Sequence, residues 1–164
     1  MILRPCLPLL CMALVALMSA STPVRAHKAI IVVRHAEKAS ASDPDSPLSL
    51  AGQDRAMALA RLLRASGVQA VFVTDKKRTQ QTAEPIASQR SIVPTVVPAG
   101  DTTALLQKLK AVPKDAVVLV VGHSNTVPDI LTGLGAKERV ALRDDQYGRV
   151  FAVLDGGRVL ELSY

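Results

Sequence analysis

The sequence predicts an α/β fold, a three-layer α/β/α sandwich built on a mostly parallel sheet. Two observations carry this. Four apolar, β-branched runs (Ala29 to Val33, Ala70 to Val73, Ile92 to Val97 and Ala116 to Val121) alternate with stretches of helical spacing. The runs are also apolar almost without interruption, as in Val117-Val118-Leu119-Val120-Val121, the pattern of strands covered on both faces by helices.

The elements follow in order. After the first strand, Ser40 to Pro47 is a polar, proline-containing loop that can border a site. A helix is predicted from Ser49 to Ser66, with Leu50, Met57, Leu59, Leu62 and Leu63 as its apolar set and Arg55, Arg61 and Arg64 opposite; Gly67 supplies its stop. Further helices are predicted from Arg78 to Ser88, from Thr102 to Ala111 ahead of Pro113, and from Val127 to Leu134 ahead of Gly135. The C-terminal runs Arg149 to Leu154 and Arg158 to Leu162, separated by Gly156-Gly157, read as a hairpin closing one edge of the sheet.

With 164 residues and 49% hydrophobic side chains, the chain holds one domain with one sizeable core. Residues 1 to 26 differ from the rest. Arg4 precedes an apolar run of 14 residues, Leu7 to Ala20, and a small-residue stretch ends at Val24-Arg25-Ala26, the composition of a signal peptide. The run falls short of the roughly 20 residues a membrane span needs, so no stable span is expected in the mature chain. A cut after Ala26 leaves 138 of the 164 residues, 27 to 164, as one mature domain and places it in the periplasm or outside the cell. Cys6 and Cys11 both lie in the segment removed, so the mature chain forms no disulfide. Cys11 as a lipid-attachment site is the weaker reading, because Leu9-Leu10 lacks the small residues such processing uses.

Loss of Arg4 and Arg25 lowers the formal charge from +6 to +4, a surplus that attracts anionic ligands. Two Phe, two Tyr and no Trp give no platform for stacking bases, and no nucleic-acid partner is expected. Oligomeric state is not encoded in any legible way.

Ligands of parallel α/β sheets gather beyond the carboxyl ends of the strands. There the first strand runs into Arg34-His35-Ala36-Glu37, the second into Thr74-Asp75-Lys76-Lys77-Arg78, and the fourth into Gly122-His123-Ser124-Asn125. Two arginines and two histidines thus reach one rim. Planar guanidinium groups give the paired, fixed donors that a phosphoryl group's oxygens require. A neutral imidazole whose other nitrogen is held by a hydrogen bond can attack phosphorus, which makes one of the two histidines a candidate nucleophile. The second, if protonated, stabilises charge on the equatorial oxygens, and the backbone amides of Ser124 and Asn125 near a helix start add donors.

Arg34-His35-Ala36-Glu37, Leu48-Ser49-Leu50-Ala51-Gly52, Arg78-Thr79-Gln80-Gln81-Thr82-Ala83 and Gly122-His123-Ser124, in this order, resemble the histidine phosphatase superfamily across essentially the whole mature chain. The resemblance implies a phosphoglycerate mutase-like fold and a metal-independent, cofactor-free phosphatase acting on a small phosphoester. It also implies His35 as the phosphorylated nucleophile, with Arg34, Arg78 and His123 as the phosphate pocket. Short members such as phosphohistidine phosphatases are the most similar. Three departures stand out. Ala36 replaces the usual glycine and is expected to trim space beside the nucleophile. Thr74 stands where many members have serine. Neither of the family's usual proton donors is present, since the insertion that carries a glutamate is missing and Ser124, not an aspartate, follows His123. Asp101 and Glu37 are the remaining candidates for the acid, or there is none; a good leaving group needs little protonation.

Several of these residues also have plainer readings. Asp101 more commonly serves as an N-cap for the helix at Thr102, Glu37 and Lys38 can be a solvated loop pair, and Asp129 faces solvent or caps locally. Arg78 near a helix N-terminus opposes the dipole, a placement that a bound phosphate would justify. A metal site joining His123, His35 and His27 lacks paired ligand spacing and has arginines beside it. The leading functional reading is therefore an exported phosphomonoester hydrolase. The alternative is a non-catalytic module binding a phosphate-bearing ligand, and a mutase is disfavoured by the lack of enclosing insertions.

Overall fold

The computed structural model describes residues 29–164. The expected signal peptide with Cys6 and Cys11, its cut after Ala26, and His27 lie outside the described residues. The strands are β1 (Ala29–Arg34), β2 (Val68–Thr74), β3 (Thr95–Val97), β4 (Val117–Gly122), β5 (Arg149–Leu154) and β6 (Arg158–Ser163). The helices are α1 (Leu50–Leu62), α2 (Lys77–Gln89), α3 (Thr102–Lys110) and α4 (Val127–Gly133). They form one six-stranded sheet in the order β3-β2-β4-β1-β5-β6. The first four strands of that order run parallel, and the β5–β6 hairpin joins β1 antiparallel, closing the edge.

The two faces of the sheet bury alternate residues of the same strands, as the two-residue strand period requires. On one face, Val32, Phe72, Val118, Val120 and Phe151 pack with Leu105 and Leu109 of α3 and Val127, Ile130 and Leu131 of α4. On the other, Ile31, Val33, Val71, Val73, Leu119 and Val121 pack with Leu59 and Ala60 of α1 and Ala83, Ile86 and Ala87 of α2. This is the three-layer α/β/α arrangement, and the unbroken apolar strands are its sequence signature. Among the described residues, no helix is long and apolar enough to cross a membrane.

Three details differ from the sequence expectations. α1 buries Gly52, Ala56, Leu59 and Ala60, followed by Leu63, while Leu50 is 80% exposed and Met57 and Leu62 are also exposed. The start of the helix sits too close to the chain at Glu37 for a side chain there. A Cβ on Gly52 would lie 2.3 Å from the Glu37 carbonyl oxygen. α1 also stops at Leu62, with the chain turning through Gly67 at φ 72°. Finally, β3 begins only at Thr95, because Pro94 has no N–H to give a ladder; Ile92 N–H instead bonds Ala87 O at 2.9 Å and closes the end of α2.

Candidate active site

The pairing of β1 with β4 places Arg34 opposite Gly122, and the next residue of each strand is a histidine. His35 N–H donates to Gly122 O at 2.9 Å, extending the ladder by one bond. The two imidazole rings then stand edge to face, with centroids 5.3 Å apart. Arg78 arrives from the first turn of α2. Its Nη2 lies 3.3 Å from His123 Nδ1, and its Nη1 donates to Pro44 O at 2.9 Å. The Ser40 to Pro47 loop therefore does border the site. It is pinned by the Lys38–Leu48 bridge and by the bond from Ala39 N–H to Pro47 O.

His35 Nδ1 lies 2.7 Å from Ala36 O. A carbonyl only accepts, so Nδ1 carries the proton and Nε2 keeps its lone pair. Burial first, then the positive charge of Arg34 and Arg78 and the nearby His123, hold the His35 pKa down at about 3, against the bond to Ala36 O, which favours the charged form. The ring is neutral at physiological pH with Nε2 as a free nucleophile. Ala36 N–H donates to Thr82 Oγ1 (2.9 Å), whose hydroxyl donates in turn to Arg78 O (2.6 Å). A single threonine thereby ties the His35 segment to the arginine helix. The Ala36 methyl is fully buried and packs with Leu48 and Ala56, so it fills core instead of trimming substrate space.

His123 is neutral as well. Arg78 Nη2 can only donate, so His123 Nδ1 accepts, and the ring proton sits on Nε2, 3.1 Å from Thr74 Oγ1. Burial and the charge of Arg78 lower its pKa to about 4. Thr74, singled out in the sequence as a hydroxyl at a strand end, is thus the partner that orients this ring. Its Oγ1 is also 2.9 Å from that of Thr79.

Arg34 is buried, with Nη1 on Arg143 O at 3.1 Å, Nη2 3.5 Å from Asp144 Oδ1, and its guanidinium carbon 4.1 Å from the centre of the Tyr147 ring. The Tyr147 ring also lies 6.2 Å from that of His35. Among the described residues, the Nε donors of both Arg34 and Arg78 are buried without a partner. Orphaned guanidinium donors beside a nucleophilic imidazole are the donors an oxyanion would satisfy.

Ser124 and Asn125 precede α4, and neither backbone amide is taken by another backbone carbonyl among the described residues. Ser124 Oγ donates to Asp144 Oδ1 at 2.7 Å. Asp101 stands apart from this group. It is the N-cap of α3, accepting from Ala104 N–H at 2.9 Å, and no hydrogen bond or ion pair joins it to Arg34, His35, Arg78 or His123 among the described residues. Glu37 grips Arg55 through both carboxylate oxygens, at 2.7 to 2.9 Å. The Arg78 placement at a helix start is eased by Asp45, whose carboxylate accepts from Lys77 N–H at 3.0 Å, so the unfavourable dipole alone does not demand a bound anion. Among the described residues, no group of three or more His, Cys, Asp and Glu side chains gathers as metal ligands.

Sequence reasoning missed Tyr147, Asp144 and the Arg143 carbonyl. They come from a segment without periodicity, and one of them acts through its backbone, which no residue type announces.

Residues 30–99 match the model of the histidine phosphatase superfamily (branch 1). Solved structures with the same fold include the protein histidine phosphatase SixA complexed with tungstate, with a TM-score of 0.65 and 20% identity over 82% of this chain and 96% of that one. A protein from Nakamurella multipartitia, provisionally named phosphohistidine phosphatase SixA, gives 0.56 and 26% over 80% and 86%. A mycobacterial glucosyl-3-phosphoglycerate phosphatase complexed with VO3 gives 0.62 and 13% over 78% and 97%. A comparison with curated protein sequences found no match.

Proposed function

We propose that this protein is an exported, metal-independent phosphomonoester hydrolase that works through a phosphohistidine on His35. The observation that carries the reading is the 2.7 Å contact of His35 Nδ1 with Ala36 O, which leaves Nε2 as the free nitrogen within a group of two guanidiniums and a second imidazole. Relatives of the same fold that hold tungstate or VO3 lend support, since both are oxyanions.

In the proposed reaction the Nε2 lone pair attacks phosphorus and the bond to the leaving oxygen breaks with its electron pair. Arg34, Arg78 and His123 hold the three non-bridging oxygens, a preorganised positive field of the kind that dominates phosphoryl transfer. Water then attacks the phosphohistidine, the P–N bond breaks, its pair returns to Nε2, and inorganic phosphate leaves. The guanidiniums supply the charge that a metal ion would otherwise bring. Export rests on the composition of residues 1 to 26.

The test is single-turnover mixing of residues 27 to 164 with a reactive aryl phosphate, following aryl release and acid-labile phosphate on the protein. Labelling followed by phosphate release, both lost in His35→Ala, is the expected result. Phosphate binding without labelling or turnover would favour the non-catalytic module instead. Comparing the chain length of the protein from the periplasm with that of the full translation product tests the cut after Ala26.

A further inference from the structure

The proposed reaction leaves one role unfilled, the group that protonates the departing oxygen. Neither carboxylate considered from sequence is available for it: Asp101 caps α3 and Glu37 is paired with Arg55. We propose that Asp144 is the proton-transfer residue of this site, an inference that rests on the phosphatase reading above.

Asp144 belongs to the segment between α4 and β5, and that segment is docked onto Arg34 on either side of it. The Arg143 carbonyl accepts from Arg34 Nη1 at 3.1 Å, and the Tyr147 ring stacks under the same guanidinium at 4.1 Å. Between these anchors, Asp144 Oδ1 accepts from Ser124 Oγ at 2.7 Å and lies 3.5 Å from Arg34 Nη2. The carboxylate therefore shares its guanidinium with any phosphoryl group that Arg34 binds, and Ser124 aims it from the residue directly after His123. Its side chain is 90% exposed, so the pair with Arg34 is weakly held and open to exchange. A phosphoryl group on Arg34 takes the cation from Asp144 and lies beside its carboxylate.

In the first step the substrate binds as its monoanion, the Asp144 carboxylate takes the phosphoryl group's proton, and P–O cleavage places an electron pair on the leaving oxygen, which takes that proton from Asp144. In the second, the Asp144 carboxylate accepts a proton from the water attacking phosphohistidine and passes it to the departing phosphate, which restores the carboxylate. The sum consumes one water and yields alcohol and phosphate.

The experiment is Asp144→Asn in single-turnover release of the leaving group, across aryl phosphates graded from para-nitrophenyl to para-methoxyphenyl. General acid catalysis typically contributes 10²-fold or more, so the expected loss grows along the series, from less than about threefold for the reactive end to about 100-fold for the poorest leaving group, with partial recovery in Asp144→Glu. An equal loss at every leaving group would mean that Asp144 only positions Arg34, and no loss would mean that it only competes with substrate; either overturns the proposal. Should wild-type protein form no acid-labile phosphate on His35, the phosphatase reading fails first. Labelled wild type with an unchanged leaving-group dependence in Asp144→Asn fails the Asp144 assignment alone.

Discussion

Arg78 Nη2 faces His123 Nδ1 at 3.3 Å, and this contact is compatible only with a neutral His123, because an imidazolium would set donor against donor. The arrangement couples the protonation of His123 to whatever Arg78 binds. An oxyanion that draws Arg78 toward itself removes the donor from Nδ1 and adds negative charge beside the ring, and both changes favour the imidazolium.

Oxyanion binding is therefore expected to take up protons. His123 is neutral well above its pKa of about 4, so near pH 6 the protein should gain a fraction of a proton for each tungstate bound. Titration calorimetry in two buffers of different ionisation enthalpy measures this. The uptake should vanish in His123→Gln. Equal heats in both buffers for the wild type would contradict the coupling.

Two buried neutral histidines also make stability depend on pH, with a definite sign. The folded pKa values are about 3 for His35 and about 4 for His123, while the unfolded chain binds a proton at about 6.5 on each. Between these limits the unfolded state holds the extra protons, so stability is full above pH 6.5 and is lost as pH falls toward the folded values. Each histidine contributes a slope approaching about 1.4 kcal/mol per pH unit. Thermal melts from pH 7 to pH 5, a window above most carboxylate titrations, should show a shallower decline in His35→Ala and in His123→Gln than in the wild type. An unchanged slope in both variants would mean that neither ring resists protonation.

The order of elements and the rim of the site were legible because both rest on residue type at regular spacing. Apolar continuity marked β1 and β4, and the residues following those strands, His35 and His123, had to meet once the strands paired. The face of α1 was misjudged for a physical reason. Size matters there more than hydrophobicity, so Gly52, Ala56 and Ala60 go inward while Leu50 and Met57 remain exposed. The start of β3 turned on one missing N–H at Pro94. Residues 143 to 147 were not legible, because a carbonyl, a stacked ring and an exposed carboxylate leave no periodic trace.

Gly52 illustrates how a small residue positions the site from a distance. An added Cβ would lie 2.3 Å from Glu37 O, the carbonyl that accepts from Ser49 N–H at 2.9 Å. Backbone cannot yield as a flexible side chain can. Gly52→Ala is expected to destabilise the fold by about 1 to 3 kcal/mol, the range for overpacking, and to lower turnover by displacing the chain two residues after His35. Denaturant unfolding with parallel phosphatase assays measures both. A neutral effect would show that the α1 start and the nucleophile segment can separate freely.

Thr74 orients His123 through its hydroxyl alone, so the test needs an isostere. Thr74→Val keeps the shape and deprives His123 Nε2–H of its acceptor at 3.1 Å. Leaving a buried donor unpaired costs about 1 to 3 kcal/mol, and even the lower end corresponds to several-fold in rate. A drop in kcat/KM of about tenfold is expected, with Thr74→Ser restoring most of it. If valine and serine behave alike, the hydroxyl has no part in holding the ring.

Glu37 lies closest in sequence to His35 of any carboxylate, which makes it the acid most worth excluding by experiment. Burial alone would raise its pKa, but the hydrogen bonds and charge of Arg55 outweigh that and hold it below the usual carboxylate range. A carboxyl kept ionised at neutral pH has no proton to give, and both oxygens already face Arg55. Glu37→Gln should therefore leave the dependence on leaving group unchanged along the aryl phosphate series, while lowering stability by about 1 kcal/mol or less, as a partly exposed ion pair would. A loss confined to poor leaving groups would make Glu37 the acid and would remove the need for any other.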